Sequence, residues 1–265
     1  MRIVQQSKVE LLSSTPNPEQ VIAAAGKLCY SPVGVQEILK KNSKEQCVAF
    51  LKKLLSMGHE SPLEHVSFTF AVEDVSRALT HQLVRHRIAS YSQQSQRYVK
   101  SDEPVFIMPK LISDLSTEQN FLDVAYKDAL VQAFDAYSFL SLLISRELMA
   151  KELEKDPTIA EDEKRLKRLE SKCEKIAIEN ARYVLPNATE TKIVFTMNLR
   201  SLINFLSERC CNRAQWEIRE LARQIIREIE KVSPEIAYCL GAPCEFGKCP
   251  EGSMSCGEPF KKKEK

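Results

Sequence analysis

Glycine is scarce in this chain of 265 residues: there are seven, and only three precede residue 241. They form no Gly-x-Gly-x-x-Gly and no P-loop, so a nucleotide bound here is held by side chains rather than by a glycine-rich turn. Long apolar runs are missing too. No stretch approaches the roughly 18 residues of a membrane span, and the opening MRIVQQSKVE lacks the apolar region of a secretion signal, which predicts a cytoplasmic protein without membrane association. Neither charge is in real excess: 38 Lys and Arg stand against 36 Asp and Glu, net +2. A wholesale binder of nucleic acid or membrane needs a more lopsided surface. Nine cysteines cannot all pair internally, and in a reducing cytosol most are expected as free thiols.

What is present is ordinary for a soluble protein, 43% hydrophobic and 28% charged, with no internal repeat and enough length to bury a sizeable core. Residues 1–12 alternate as an edge strand. Helices are predicted from Pro18 to about Tyr30 and from Ser43 to Met57, the second stopped by Gly58. In HESPLEH, residues 59–65, Ser61 and Glu64 have capping-box spacing. VSFTFAV reads as a strand with Val66, Phe68, Phe70 and Val72 on one face. Glu73 and Asp74 then open a helix with Val75, Ala78, Leu79 and Leu83 as its stripe.

Further on, PVFIMP is a short strand, and residues 118–150 form a long helix burying Phe121, Ala125, Tyr137, Leu140 and Ile144. The charged stretch 151–175 is a solvated face, with Leu166, Leu169, Cys173, Ile176 and Asn180 as the stripe of a second helix that Pro186 ends. Residues 189–198 alternate as a strand. Ser201–Val232 reads as the longest amphipathic helix, striped by Ala214, Ile218, Leu221, Ile225 and Ile229.

The stretch from His81 to Tyr98, HQLVRHRIASYSQQSQRY, breaks this pattern of apolar stripes. It holds three arginines, two histidines and three serines in eighteen residues, with no glycine or proline. Cations at a helix end are favoured by the macrodipole, but an idle loop normally contains turn residues, so the run from Ser90 to Arg97 is expected to be held by what it binds. Arg200, Arg209 and Arg213, with Asn198 and Asn204, cluster early in the predicted last helix, where cations oppose the dipole and an anionic partner would compensate. The guanidinium fork donates paired charge-assisted bonds to phosphate, so Arg85, Arg87, Arg97, Arg182, Arg200 and Arg209 form an anion site if the fold gathers them. Ser95 lacks a base among Gln93, Gln94 and Gln96, which makes it a binding hydroxyl and not a nucleophile. A competing reading takes Tyr91 and Tyr98 as a stacking surface for single-stranded nucleic acid.

From Cys239 the chain changes character. Four cysteines, at 239, 244, 249 and 256, lie among four of the seven glycines. None has the two-residue spacing of a zinc knuckle, so no metal is expected and the segment reads as a loosely ordered tail, 238–265, following a single domain, 1–237.

Arg85-His86-Arg87, seven residues and then Ser95, followed by Arg97 and Tyr98, resembles the signature of flavin-dependent thymidylate synthases. HESPLEH, the ARYVLP around Arg182 and NLRSLINFLSERCCNRAQWEIR from Asn198 agree in order and spacing, so the resemblance covers most of residues 1–235; the 151–175 insertion and the tail lie outside it. It implies a mixed α/β (α+β) fold, a central mixed or antiparallel sheet flanked by long helices. It further implies FAD-dependent reductive methylation of dUMP to dTMP, with methylenetetrahydrofolate as carbon donor and NADPH as reductant, in a homotetramer with shared active sites. Arg85, His86 and Arg87 would hold the flavin, supported by Ser61, Asn198, Arg200 and Asn204. Gln82, Ser95, Arg97 and Arg182 would hold dUMP, with Arg85 and Gln93 serving both ligands. Arg209 would act catalytically against the uracil ring. The chain departs from many members at Ser92, Gln93, Gln96 and Arg213, where they carry Asn, Glu, Gly and His, and loss of the Glu removes a charge beside the nucleotide.

Overall fold

A computed structural model describes residues 1–98 and 103–262. In chain order its elements are β1 (Arg2–Val4), β2 (Lys8–Ser14), α1 (Pro18–Leu28), α2 (Val35–Lys41), α3 (Lys44–Met57), a 3-10 turn at Ser61–His65, β3 (Ser67–Ser76), α4 (Arg77–Leu83) and β4 (Ser90–Gln93). There follow β5 (Val105–Ile107), α5 (Lys110–Leu115), α6 (Leu122–Lys155), α7 (Glu163–Ala181), β6 (Glu190–Asn198), α8 (Leu199–Arg209), α9 (Trp216–Glu230) and α10 (Pro234–Tyr238). They fall into two compact units, the first of Met1–Gln6, Asp74–Ala78 and Gln93–Thr191, the second of Ser7–Glu73, Leu79–Ser92 and the chain from Lys192 onward. Helices and an antiparallel sheet thus combine in the α/β class that the resemblance implies.

The second unit is built on a four-stranded sheet in the order β2-β3-β6-β4, with β2 antiparallel to β3 and a bulge between Leu11 and Ser13. Alternation sends Phe68 and Phe70 of β3 and Ile193, Phe195 and Met197 of β6 into the core, where the Phe70 and Phe195 rings lie 5.3 Å apart. Of the stripe expected in the last helix, Ile218, Leu221, Ile225 and Ile229 are wholly buried, whereas Ala214 is half-buried and lies ahead of α9; α9 packs on β2. Ser43 caps α3 through a full capping box with Gln46, and Gly58 closes it at φ 69, a left-handed position that glycine takes without steric cost.

Several expectations fail for identifiable reasons. Residues 1–12 make two strands, not one: β1 pairs in parallel with β5 in the first unit, and only β2 is the edge of the larger sheet. Glu73 and Asp74 do not open a helix. Asp74 sits at φ 57, its carboxylate receives Arg2 Nη2 at 3.0 Å and its amide donates to Glu190 at 3.2 Å, so β3 runs on to Ser76. Helix α4 begins only at Arg77, whose N–H and that of Ala78 are satisfied by the carbonyls of Thr189 and Asn187. The polar run Ser90–Gln93 is no loop; it is strand β4, beside β6.

The predicted 201–232 helix is two helices. Leu206 ends the stripe of α8 and Ile218 begins that of α9; twelve residues on, a straight helix would be roughly 120° out of phase at 3.6 residues per turn. The chain therefore breaks at Cys210–Gln215, and the Cys210 and Asn212 carbonyls, without helical partners, are taken by Arg223 at 3.0 Å and Arg219 at 2.7 Å. The longest helix is instead α6, with 34 residues.

In the first unit α6 and α7 form an antiparallel-type hairpin around Tyr137, Ile178 and Ala181. Asp162 caps α7 and Asp156 holds Arg165 at 2.6 Å. Phe121 is exposed, not buried, because it is the left-handed N-cap of α6; Ala125 is exposed as well, and Leu140 and Ile144 are half-buried. The stripe of α7 passes through Leu169 and Cys173 to Ala177 and Ala181, leaving Asn180 exposed. Its charged residues face solvent as expected.

The cysteine-bearing tail is packed rather than loose. Glu245 is buried, receives the Ala242 amide at 2.8 Å and pairs with Arg223 at 2.8 Å, while the Arg223 guanidinium lies 4.4 Å from the Phe260 ring centroid. Gly241, at φ 150, is required there, since a Cβ would meet the Glu245 carboxylate at 2.7 Å.

Candidate active site

A concavity of about 1020 Å³ in the second unit is lined by three separated segments: Glu60 and Glu64 at the 3-10 turn, Arg85–Ile88 after α4, and residues from Asn198, ahead of α8, to Arg209 at its end. Each is placed by local structure. Asn198 is the N-cap of α8, accepting the Ser201 amide at 2.8 Å, which turns the first helical residues toward the cavity. The turn after α4 is stapled by Tyr91, whose hydroxyl lies 2.9 Å from the Leu83 carbonyl and 2.8 Å from that of His86. Burial pushes its phenol up to about 12, so it remains a neutral donor.

His86 and Arg209 form the centre. Arg209 Nε donates to His86 Nε2 at 3.1 Å, so this imidazole nitrogen carries a lone pair and the ring is neutral. Burial first, and then the Arg209 and Arg85 charges, hold its pKa below the ordinary imidazole value, against an opposing pull from Glu208. The ring is fixed edge-on to Phe205, 5.0 Å between centroids at 89°. Arg209 is the last residue of α8, where the helix dipole favours a cation, and not an early residue of one long helix opposing the dipole.

Arg200 does sit in the first turn of α8, and its charge is met by Glu64 at 2.6 Å and Glu60 at 3.2 Å. These carboxylates explain the HESPLEH spacing: Ser61 makes no capping bond, Glu60 is the N-cap residue, and Glu64 faces Arg200. The motif is therefore no capping box, and Glu60 and Glu64 are cavity residues not among those expected from the sequence. An acidic pair four apart in a motif already suspected of binding was the available signal.

Of the residues expected at the cofactor, the cavity gathers Arg85, His86, Arg87, Asn198, Arg200 and Asn204, together with Arg209. Ser61 and Gln82 lie in the same unit but not on the cavity wall. Gln93, Ser95, Arg97 and Arg182 belong to the first unit. There Arg97 pairs with the Glu179 carboxylate at 2.6 Å and Arg182 donates to the Glu179 carbonyl at 3.2 Å, so one residue of α7 holds both arginines. The Ser95 hydroxyl accepts the Arg97 amide at 3.2 Å, and Gln93 reaches Thr191 at 3.2 Å. The residues expected to serve flavin and nucleotide thus fall largely into separate units.

Protonation of His86 would remove the acceptor for Arg209, and the sign of the pH effect follows. A folded-state pKa below the unfolded value means that the unfolded chain takes up the proton more readily, so stability is present above the ordinary imidazole range and lost as pH falls through it. Thermal unfolding of the unliganded protein from pH 8 to pH 5 should show a declining midpoint that is shallower in His86→Gln; identical slopes would dissociate His86 from the effect.

The chain matches the family model described as thymidylate synthase complementing protein over residues 10–235. Proteins named flavin-dependent thymidylate synthase are similar to it along nearly their whole length. That of Clostridium tetani is 52% identical, covering 97% of this chain and 96% of its own. The protein of Geobacter sulfurreducens is 44% identical, over 95% and 94%, and that of Pyrococcus abyssi 36%, over 96% and 94%. Among solved structures, a UMP/dUMP methylase from Streptomyces cacaoi, bound with 5-Br dUMP, shares the fold at a TM-score of 0.67 and 22% identity, covering 89% of this chain and 95% of that one. Among the described residues no helix is long and apolar enough to cross a membrane.

Proposed function

Because the chain belongs to the flavin-dependent thymidylate synthase family, we propose that it converts dUMP to dTMP by reductive methylation at C5, with methylenetetrahydrofolate as carbon donor and NADPH as reductant. The observation that carries this is the glycine-free cavity of about 1020 Å³, in which Arg85, His86 and Arg87 meet Asn198, Arg200, Asn204 and Arg209. FAD fits this donor set: guanidinium groups suit a diphosphate, and the volume suits a large planar ligand. Bound there, the flavin supplies the hydride that completes the methyl group. Arg85 and Arg87 are its anion contacts, with Asn198 and Asn204 as neutral donors and Ser61 and Gln93 as outlying support. Arg200 becomes available to it once released from Glu60 and Glu64.

Gln82, Arg85, Gln93, Ser95, Arg97 and Arg182 hold dUMP, the arginines chiefly at its phosphate. Arg209 places a fixed positive charge against the pyrimidine, where it stabilises the anion that makes C5 nucleophilic. His86 orients that guanidinium by accepting its Nε proton. Residues 1–237 act as one catalytic domain in the cytoplasm. Homotetramer formation is supported by Val131, Phe139 and Leu142, large apolar side chains left 41%, 61% and 53% exposed along α6.

Purified protein should be yellow or become so with FAD, and should release tritium from C5-labelled dUMP only when methylenetetrahydrofolate and NADPH are both supplied. A colourless protein that cannot be reconstituted, or release that ignores the folate, would sink the proposal.

A further inference from the structure

Three of the four tail cysteines, Cys244, Cys249 and Cys256, converge on the loop that follows Arg209. Cys211, from the break between α8 and α9, shares the wall of a cavity of about 400 Å³ with Cys244 and Cys249; Ser207, Glu208 and Arg209 line the same space. A second, much smaller cavity adds Cys256 to the same three thiols. Arg213 lines both, and it ties loop to tail by pairing with Glu251 at 3.4 Å and donating to the Met254 carbonyl; Asn212 adds a bond to the Glu258 carbonyl at 2.9 Å. Segments more than thirty residues apart in sequence are thus held together with partly accessible free thiols between them.

Among the described residues no three His, Cys, Asp or Glu side chains are gathered closely enough to hold a metal ion, whereas a disulfide needs only two. Cys256 is at the exposed rim, its sulfur accepting the Glu258 amide at 3.4 Å. The remaining thiols differ in kind. Cys47 and Cys173 are buried, and desolvation pushes both up, away from the reactive thiolate; Cys210 is wholly buried.

We propose that this cavity is a thiol-disulfide modification site, in which Cys211 forms a reversible bond with Cys244 or Cys249 and tethers the tail to the loop after Arg209. The oxidant is a small-molecule disulfide of the glutathione class. One protein thiolate attacks it, forming a mixed disulfide and releasing one glutathione thiol. The second protein thiolate then attacks the protein sulfur and releases the other. The protein loses two electrons and two protons, and the oxidant gains them.

The full-length reduced protein should be incubated with glutathione disulfide, its thiols blocked, and digested without reduction for mass spectrometry. The expected result is a peptide pair joining Cys211 to Cys244 or Cys249, loss of two titratable thiols, an upward shift of the unfolding midpoint, and reversal of all three by dithiothreitol. Cys211→Ser should abolish the link, while Cys29, exposed and far along the chain, acts as a control for random oxidation. Mapping on the unmutated protein stands even if that variant misfolds. A link confined to Cys244–Cys249, thiols that stay reduced, or stoichiometric zinc that withholds them from the oxidant would each overturn the proposal.

Discussion

Arg209→Ala should cut turnover by at least about 10²- to 10³-fold, the loss typical of removing one preorganised donor at a developing negative charge, while leaving the flavin spectrum largely intact. The geometry makes the prediction sharper than a charge argument alone. The Arg209 Nε proton is committed to His86, so the cation is held in one orientation by a neutral ring that is itself wedged against Phe205. Arg209→Lys keeps a charge but has no Nε donor, and it should recover only a small part of the rate. Single-turnover tritium release beside a flavin absorption spectrum separates the roles. If Arg209→Ala instead loses the flavin and keeps turnover on reconstitution, the residue belongs to cofactor binding and the catalytic assignment fails.

Phe205→Ala should destabilise the protein by about 3–5 kcal/mol, the usual cost of deleting a buried aromatic side chain. Phe205 has no exposed surface, and it lies on the apolar stripe of α8 with its ring against His86. A domain of this kind has about 5–15 kcal/mol in total, so the loss is a large share of it. Phe205→Leu retains most of the volume and should cost roughly 1–1.5 kcal/mol. Because the ring edge also fixes the imidazole, the Ala variant should weaken the His86–Arg209 bond even below its unfolding temperature, visible as a shifted His86 titration by NMR. A chemical-denaturation loss under about 1 kcal/mol for Phe205→Ala would show that the site relaxes to fill the space.

Period-two and period-3.6 patterns were enough to read the interior: Phe68 and Phe70 of β3, the alternation of β6 and the stripe of α9 are dictated by where apolar side chains fall, and Gly58 marks the stop of α3 through its left-handed backbone. The same patterns misled where a polar contact from far along the chain decides the local backbone. Arg2 and Glu190 hold Asp74 in a left-handed position within β3, where an acidic pair would otherwise suggest a helix start. Arg219 and Arg223 cap the end of α8 without any proline or glycine to announce a break.

The site divides in the same way. Arg85-His86-Arg87 with Ser95 and Arg97, and the Asn198–Arg219 run, identified the family and the residue types of a glycine-free anion site from the sequence by itself, because motif spacing along one chain is a local property. Only the tertiary structure decided which of those groups share a wall. It set Glu60 and Glu64 against Arg200, gave His86 the lone pair that orients Arg209, let Glu179 hold Arg97 and Arg182, and folded the tail cysteines onto the loop after α8. Each of these is a contact between residues distant in sequence, and their partners depend on a packing that no spacing rule encodes.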